Sequence, residues 1–178
     1  MSALSPVCTT GRPPAARGGA PGRLRRAAPV VAVVAVLSVI AAGCGASDVE
    51  VPVPRPPASA VSLCRAFHDR LPQRLHGLKR RSTSPRSALV TAWGSPAVVV
   101  RCGVVRPAGL HPTSELAVIN GINWLAVPPD HPVTFTAVGR HAYVEVTVPP
   151  KYTPPGDVLN ELTAAIKSTI PANSDATL

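Results

Sequence analysis

The spacing of apolar positions changes three times along this chain. Ala27 to Ala42 is an almost unbroken apolar run behind an Arg-rich head that contains no acidic residue. Further on, Leu63, Cys64, Phe67 and Leu71 recur at three- and four-residue intervals. That spacing predicts a helix capped by Ser59 and ended by Pro72. The helical period returns at Val158, Leu159, Leu162, Ala165, Ile166 and Ile170. It predicts a second helix over 157–170, which Pro171 stops.

Between the helices the pattern is that of strands. Ala97–Val104, Leu116–Ile119, Ile122–Val127, Phe135–Val138 and Tyr143–Val148 are β-rich. Asn120-Gly121 joins two of these runs and predicts a tight hairpin, because both turn positions need positive φ. Gly139-Arg140 joins another pair. In the last run Val144, Val146 and Val148 face one way and Tyr143, Glu145 and Thr147 the other, as in a half-buried antiparallel strand. Residues 73–85 read as a basic connector, and Trp93-Gly94-Ser95-Pro96 as a turn entering the first strand. The expected fold is α+β: an antiparallel sheet of about five strands with an N-terminal and a C-terminal helix packed on one face.

Length and composition set the boundaries. The 178 residues suit one domain. The head and apolar run, 1–44, form an export signal or membrane anchor. A Pro-rich linker follows at 45–58, then a globular domain at 59–171 and a short disordered tail at 172–178. Three readings of the first segment stay open. Ala41-Ala42-Gly43-Cys44 is a lipobox that makes Cys44 a lipidation site, although Ala41 stands where Leu is usual. Alternatively Ala27–Ala46 is a retained membrane helix of about minimal span, or the segment is cleaved and the body released. All three place the body outside the cytoplasmic membrane, with the basic head inside. The formal charge of +9 falls to +4 from Gly45 onward, where 13 Lys and Arg face 9 Asp and Glu. The linker, with four prolines between Val51 and Pro57, favours polyproline II and reads as a stalk of about 30 Å.

Export directs the chemistry. Cys64 and Cys102 are the cysteines left in the domain, and an oxidising compartment makes their disulfide the expected state. The alternative is zinc, with Cys64 and His68 four apart on one helix and Cys102 completing the site with another His. Arg65, Arg70, Arg74, Lys79, Arg80, Arg81 and Arg86 form a basic run. Location and the scarcity of aromatics argue against nucleic acid. They leave anionic lipid headgroups, an acidic wall polymer or envelope proteins as partners besides the membrane itself, or simply a solvated loop. His111, His131 and His141, with Asp130 and Glu145, could supply a base and its orienter, but no nucleophile motif accompanies them. No cofactor is implied.

Trp93-Gly94-Ser95-Pro96, Val100-Arg101-Cys102-Gly103-Val104, Arg106-Pro107, Asn120-Gly121-Ile122-Asn123-Trp124, Phe135-Thr136-Ala137-Val138-Gly139-Arg140 and Tyr143-Val144-Glu145-Val146 occur in this order. The series resembles an actinobacterial family of exported, membrane-anchored proteins known as a domain of unknown function. The likeness covers about Ser62 to Ile170. It implies an extracytoplasmic location and a cysteine pair matching Cys64 and Cys102, and it implies no activity or substrate. Within these motifs Arg101, Arg140 and Trp124 are candidate ligand-binding residues. The competing role for the arginines is structural, pairing with Glu145 or capping carbonyls. For Trp124 it is packing. The functional expectation is a non-enzymatic binding or assembly module of the cell envelope, the alternative being an envelope hydrolase with a His/Asp site.

Overall fold

The computed structural model describes residues 47–173. The chain divides into Met1–Gly43 and Cys44–Leu178, and every described residue belongs to the second unit. Cys44, the head and the last five residues of the tail lie outside the described residues.

The order of elements is β1 (Val49–Glu50), α1 (Ala58–Arg70), β2 (Arg74–Leu75), β3 (Leu78–Arg81), β4 (Thr83–Ser84), β5 (Val90–Trp93), β6 (Val98–Val104), β7 (Ala117–Ile119), β8 (Ile122–Val127), β9 (Thr134–Val138), β10 (Tyr143–Thr147) and α2 (Pro155–Thr169). Eight strands form one antiparallel sheet in the order β2-β3-β5-β6-β10-β9-β8-β7, and β1 pairs with β4 in parallel. The expectation of about five strands is therefore corrected to eight: β2 and β3 come from the stretch read as connector, and β5 from residues 90–93, of which only Trp93 falls in the expected turn. The physical reasons differ. Val90, Thr91, Ala92 and Trp93 are all buried, so β5 shows no alternation. Leu78-Lys79-Arg80-Arg81 is a short, charged strand near the sheet edge, where charge guards against stray pairing.

Register sorts the sheet into two faces. Cys102 opposes Val144, Val144 opposes Ala137, Ala137 opposes Trp124, and Trp124 opposes Ala117. All of this row except the exposed Ala117 joins the main core, with Val98, Val100, Val146 and Phe135. Arg101, Glu145, Thr136 and Leu125 make the row on the opposite face. Both helices contribute to the main core: Ala60, Cys64, Phe67 and Leu71 at the end of α1, and Val158, Leu159, Leu162, Ala165, Ile166 and Ile170 along α2. Helix α1 begins after Pro57 without a side-chain cap, so Ser59 lies inside it. Pro155 opens α2, where its missing N–H is harmless, and Asp157 and Lys167 complement the helix dipole. Trp93 and Trp124 are both fully buried. Cys64 and Cys102 form a disulfide, which fastens α1 to β6. With both thiols in that bond, the zinc alternative loses two of its ligands.

The hairpin turn at Asn120-Gly121 has φ values of 46° and 71°, as expected for its sequence. A departure from expectation lies at the Pro-rich segment, which is docked along the domain instead of standing away from it. Val49 N–H donates to the Ser82 carbonyl at 2.9 Å and Val51 N–H to that of Ser84 at 3.0 Å. Val51 is buried. The prolines at 52 and 54 alternate with these donors, so they leave the pairing edge intact. Pro56 rests on Gly103, the extra residue of a bulge opposite Tyr143 and Val144. Gly103 has φ of 82°, and a Cβ there would lie 2.6 Å from Pro56 Cγ.

Candidate functional site

The polar side chains converge at the β3 side of the sheet, where a groove of about 660 Å³ opens. Cys64 is pinned to β6, and His68, one turn later, reaches β5 from the last turn of α1. Arg80 opposes Trp93 across the β3–β5 pair, and its guanidinium carbon lies 6.0 Å from the centre of the Trp93 ring. The Trp93 indole is itself held, donating from Nε1 to the Pro72 carbonyl at 3.0 Å. Arg80 Nη2 is 2.9 Å from His68 Nε2 and donates to Thr91 Oγ1 at 3.2 Å. Thr91 Oγ1 is also 3.2 Å from His68 Nδ1. Arg81 Nη1 donates to the Gly94 carbonyl at 3.1 Å, and its Nη2 donates to the carbonyl of Ser47.

The charge is one-sided. Among the described residues no carboxylate lines this groove, and the ion pairs are His76–Glu161, Arg101–Glu145 and His131–Asp130. Burial, reinforced by the Arg80 charge and opposed by Asp69, lowers the His68 pKa from its ordinary value of 6.5. Burial also lowers that of Arg80, again opposed by Asp69. His68 is thus held toward its neutral form, and the net charge of the groove comes from Arg80, Arg81 and Arg86. Ser82, Ser87 and Thr91 add hydroxyls. Such a site can bind an anion by charge-assisted hydrogen bonds.

The residues proposed from sequence as ligand contacts do not come together. Arg101 donates to Glu145 Oε1 from Nε at 2.9 Å and from Nη2 at 2.7 Å, on the sheet face away from the helices. Arg140, in the β9–β10 turn, donates to the Ile170 carbonyl at 2.6 Å and caps the end of α2; burial lowers its pKa. Trp124 is wholly buried in the core on the opposite sheet face from Arg101, and its Nε1 has no partner. The two arginines thus make structural contacts, and Trp124 offers a ligand no surface.

The histidines are scattered as well. The His111 backbone N–H donates to Ser114 Oγ at 2.8 Å in a local turn. His131 lies 2.7 Å from its neighbour Asp130, with the side chains 79% and 73% exposed. His141 lines a small apolar hollow beside Pro56 and Gly103. Glu145 is engaged by Arg101, so it cannot orient any of them. Among the described residues no group of three or more His, Cys, Asp or Glu is placed to hold a metal ion.

Sequence reasoning placed Arg80, Arg81 and Arg86 in one basic run but missed Thr91 and linked His68 only to zinc. Their convergence depends on the register of β3 against β5, and the one local sign of it was Gly77 in the tight turn between β2 and β3.

A family model described as a protein of unknown function (DUF3515) matches residues 26–174. No curated protein and no solved structure matches the chain.

Proposed function

The chain belongs to the DUF3515 family of proteins of unknown function, and from that premise we propose that it is an exported envelope protein. In this reading the N-terminal segment tethers it to the outer face of the cytoplasmic membrane, where it works as a binding module for an anionic component. The observation that carries binding is the groove at His68, Arg80, Arg81 and Arg86, rich in cations and hydroxyls and free of carboxylates. The reading of an extracytoplasmic location is supported by the Cys64–Cys102 disulfide, since such bonds persist in oxidising compartments. It is supported too by the acid-free head and apolar run before Cys44. Among the described residues no helix is long and apolar enough to cross a membrane; in this reading the tether is the apolar run Ala27–Ala42 with Cys44 after it, or a helix over Ala27–Ala46. The Arg-, Ala- and Pro-rich composition supports an actinobacterial source.

The test uses intact cells carrying the full chain with a C-terminal epitope. Added protease should remove the epitope while the cells stay whole, and the protein should sediment with membranes. Cys44→Ala should release it if Cys44 is lipidated and leave it bound if the segment is a helix. An epitope protected until lysis refutes the location. Ester or amide hydrolysis by the purified full chain, abolished in His131→Ala, would refute binding in favour of an envelope hydrolase.

A further inference from the structure

We infer that the groove beside β3 binds the phosphate headgroup of an anionic glycerophospholipid in the bilayer that holds the tether. The inference deepens the proposed binding function and rests on its membrane anchor. Two independent observations point to it.

The first is a set of unengaged donors. Of the three Arg80 guanidinium nitrogens only Nη2 is hydrogen-bonded among the described residues. Arg86 is exposed at the groove and makes no hydrogen bond or ion pair. Ser82 is free to donate its hydroxyl proton, and so is Ser87, whose Oγ accepts from Leu89 N–H at 3.1 Å. Two guanidinium groups and two hydroxyls match a phosphodiester, which offers acceptor oxygens and one negative charge. His68 and Thr91 hold Arg80 through neutral contacts, and the carboxylate that acts on its charge, Asp69, lies outside the groove lining.

The second is the route of the chain. Ser47 is bound to Arg81, and β1 pairs with β4 immediately after Arg81. The tether therefore enters the domain at the groove itself. Cys44 precedes Ser47 by three residues, which reach at most about 11 Å. That is close to one Debye length at physiological ionic strength, about 8 Å. A lipidated Cys44 or a membrane helix ending near Ala46 both bring this rim of the domain within range of the headgroups. Arg81 is a positioning residue here: it joins the tether to the groove through Ser47 and Gly94.

The experiment uses the full chain in nanodiscs of phosphatidylcholine alone or with about one-third phosphatidylglycerol, and it reads hydrogen exchange over residues 80–91. Phosphatidylglycerol should slow exchange there, and Arg86→Gln should cut that gain about five-fold, the effect of one arginine near an anionic surface. Lys167→Gln, which removes an equal charge from α2, should leave the gain unchanged. Arg86 is exposed and makes no hydrogen bond or ion pair among the described residues, so its replacement by Gln should leave folding intact.

Equal exchange in both lipids overturns the inference. So does an equal loss in Lys167→Gln, which would mean diffuse attraction. If sn-glycerol 3-phosphate slows exchange as well in phosphatidylcholine discs, the ligand is a free phosphoester and the lipid is wrong. If the chain does not stay with the discs, the anchor has failed. Added phosphatidylglycerol vesicles then decide the groove alone, since slowed exchange at 80–91 retains it and unchanged exchange rejects it.

Discussion

The two halves of the sheet are built on different principles. Strands β6 to β10 are held by apolar side chains in register, with valines, alanines, Phe135 and Trp124 forming continuous rows under the helices. Strands β2, β3 and β5 hold far fewer apolar side chains. They are secured by Trp93, by arginine contacts to carbonyls, by the docked β1 and by the disulfide at their flanks. The first half is a scaffold whose alternation leaves little room for unpaired charge. The second accommodates arginines that make no ion pair among the described residues because other devices hold it in place. The proposed binding groove therefore falls where hydrophobic burial does least of the stabilising.

The comparison breaks most visibly at its tryptophans. Trp124→Ala should lower stability by about 3–5 kcal/mol in urea unfolding, as expected for a fully buried aromatic, and the loss should be global. A smaller and more local effect belongs to the double variant Cys64→Ser/Cys102→Ser. The bond spans 38 residues, which enclose β2, β3, β4 and β5, and its removal should cost about 3–4 kcal/mol. Hydrogen exchange should rise first in β3 and β5, with β8–β10 last. Uniform loss of protection would dissolve the distinction between the halves.

Substitution by Phe refines it. Trp93→Phe leaves the Pro72 carbonyl without its donor and should cost about 1–3 kcal/mol more than loss of ring volume alone. Trp124→Phe removes an indole N–H that has no partner, so its penalty should be the smaller of the two. Equal melting of both variants would show that the Pro72 bond contributes nothing. On the far face, Arg101→Ala should cost about 1 kcal/mol, with the side chains of Arg101 and Glu145 28% and 19% exposed. A double-mutant cycle with Glu145→Ala should recover most of that value.

The smallest expected effect is a titration. The folded-state pKa of His68 lies below 6.5, so the unfolded chain takes up its proton first. The contribution of His68 is complete above pH 6.5 and declines as pH falls toward the folded value, below which it levels off. His68→Gln should flatten that part of the stability profile, and an unchanged slope would assign it to other groups.

Legibility in the sequence follows the same division. The hairpins β7–β8 and β9–β10 were readable from Asn120-Gly121, Gly139 and alternation, and α2 from its stripe. Strand β5 was not, because burial on both faces removes the period that marks a strand. Nor was β3, whose Lys79-Arg80-Arg81 carries no apolar alternation of its own; the register is set by Trp93 and Ala92 on β5. The linker misled for another reason: its prolines signal extension, but whether an extended segment stands free or pairs depends on Thr83 and Ser84, distant in sequence. The groove inherits these gaps. Its arginines were visible as a run, whereas their alignment with His68 and Thr91 is a tertiary fact. Arg101 and Arg140 stood out in their apolar motifs, and the structural roles considered for them are the contacts observed.

The docking of β1 onto β4 also has a bearing on affinity. A free stalk of ten residues would let the groove sample a wide volume, diluting each encounter with the surface. With residues 49–51 already paired, the proposed anchor would be separated from Ser47 by only a few residues of sequence. A short connection of that kind corresponds to an effective ligand concentration in the millimolar range. A contact too weak to detect between separated molecules would then be occupied most of the time, and exchange among neighbouring ligands would remain fast.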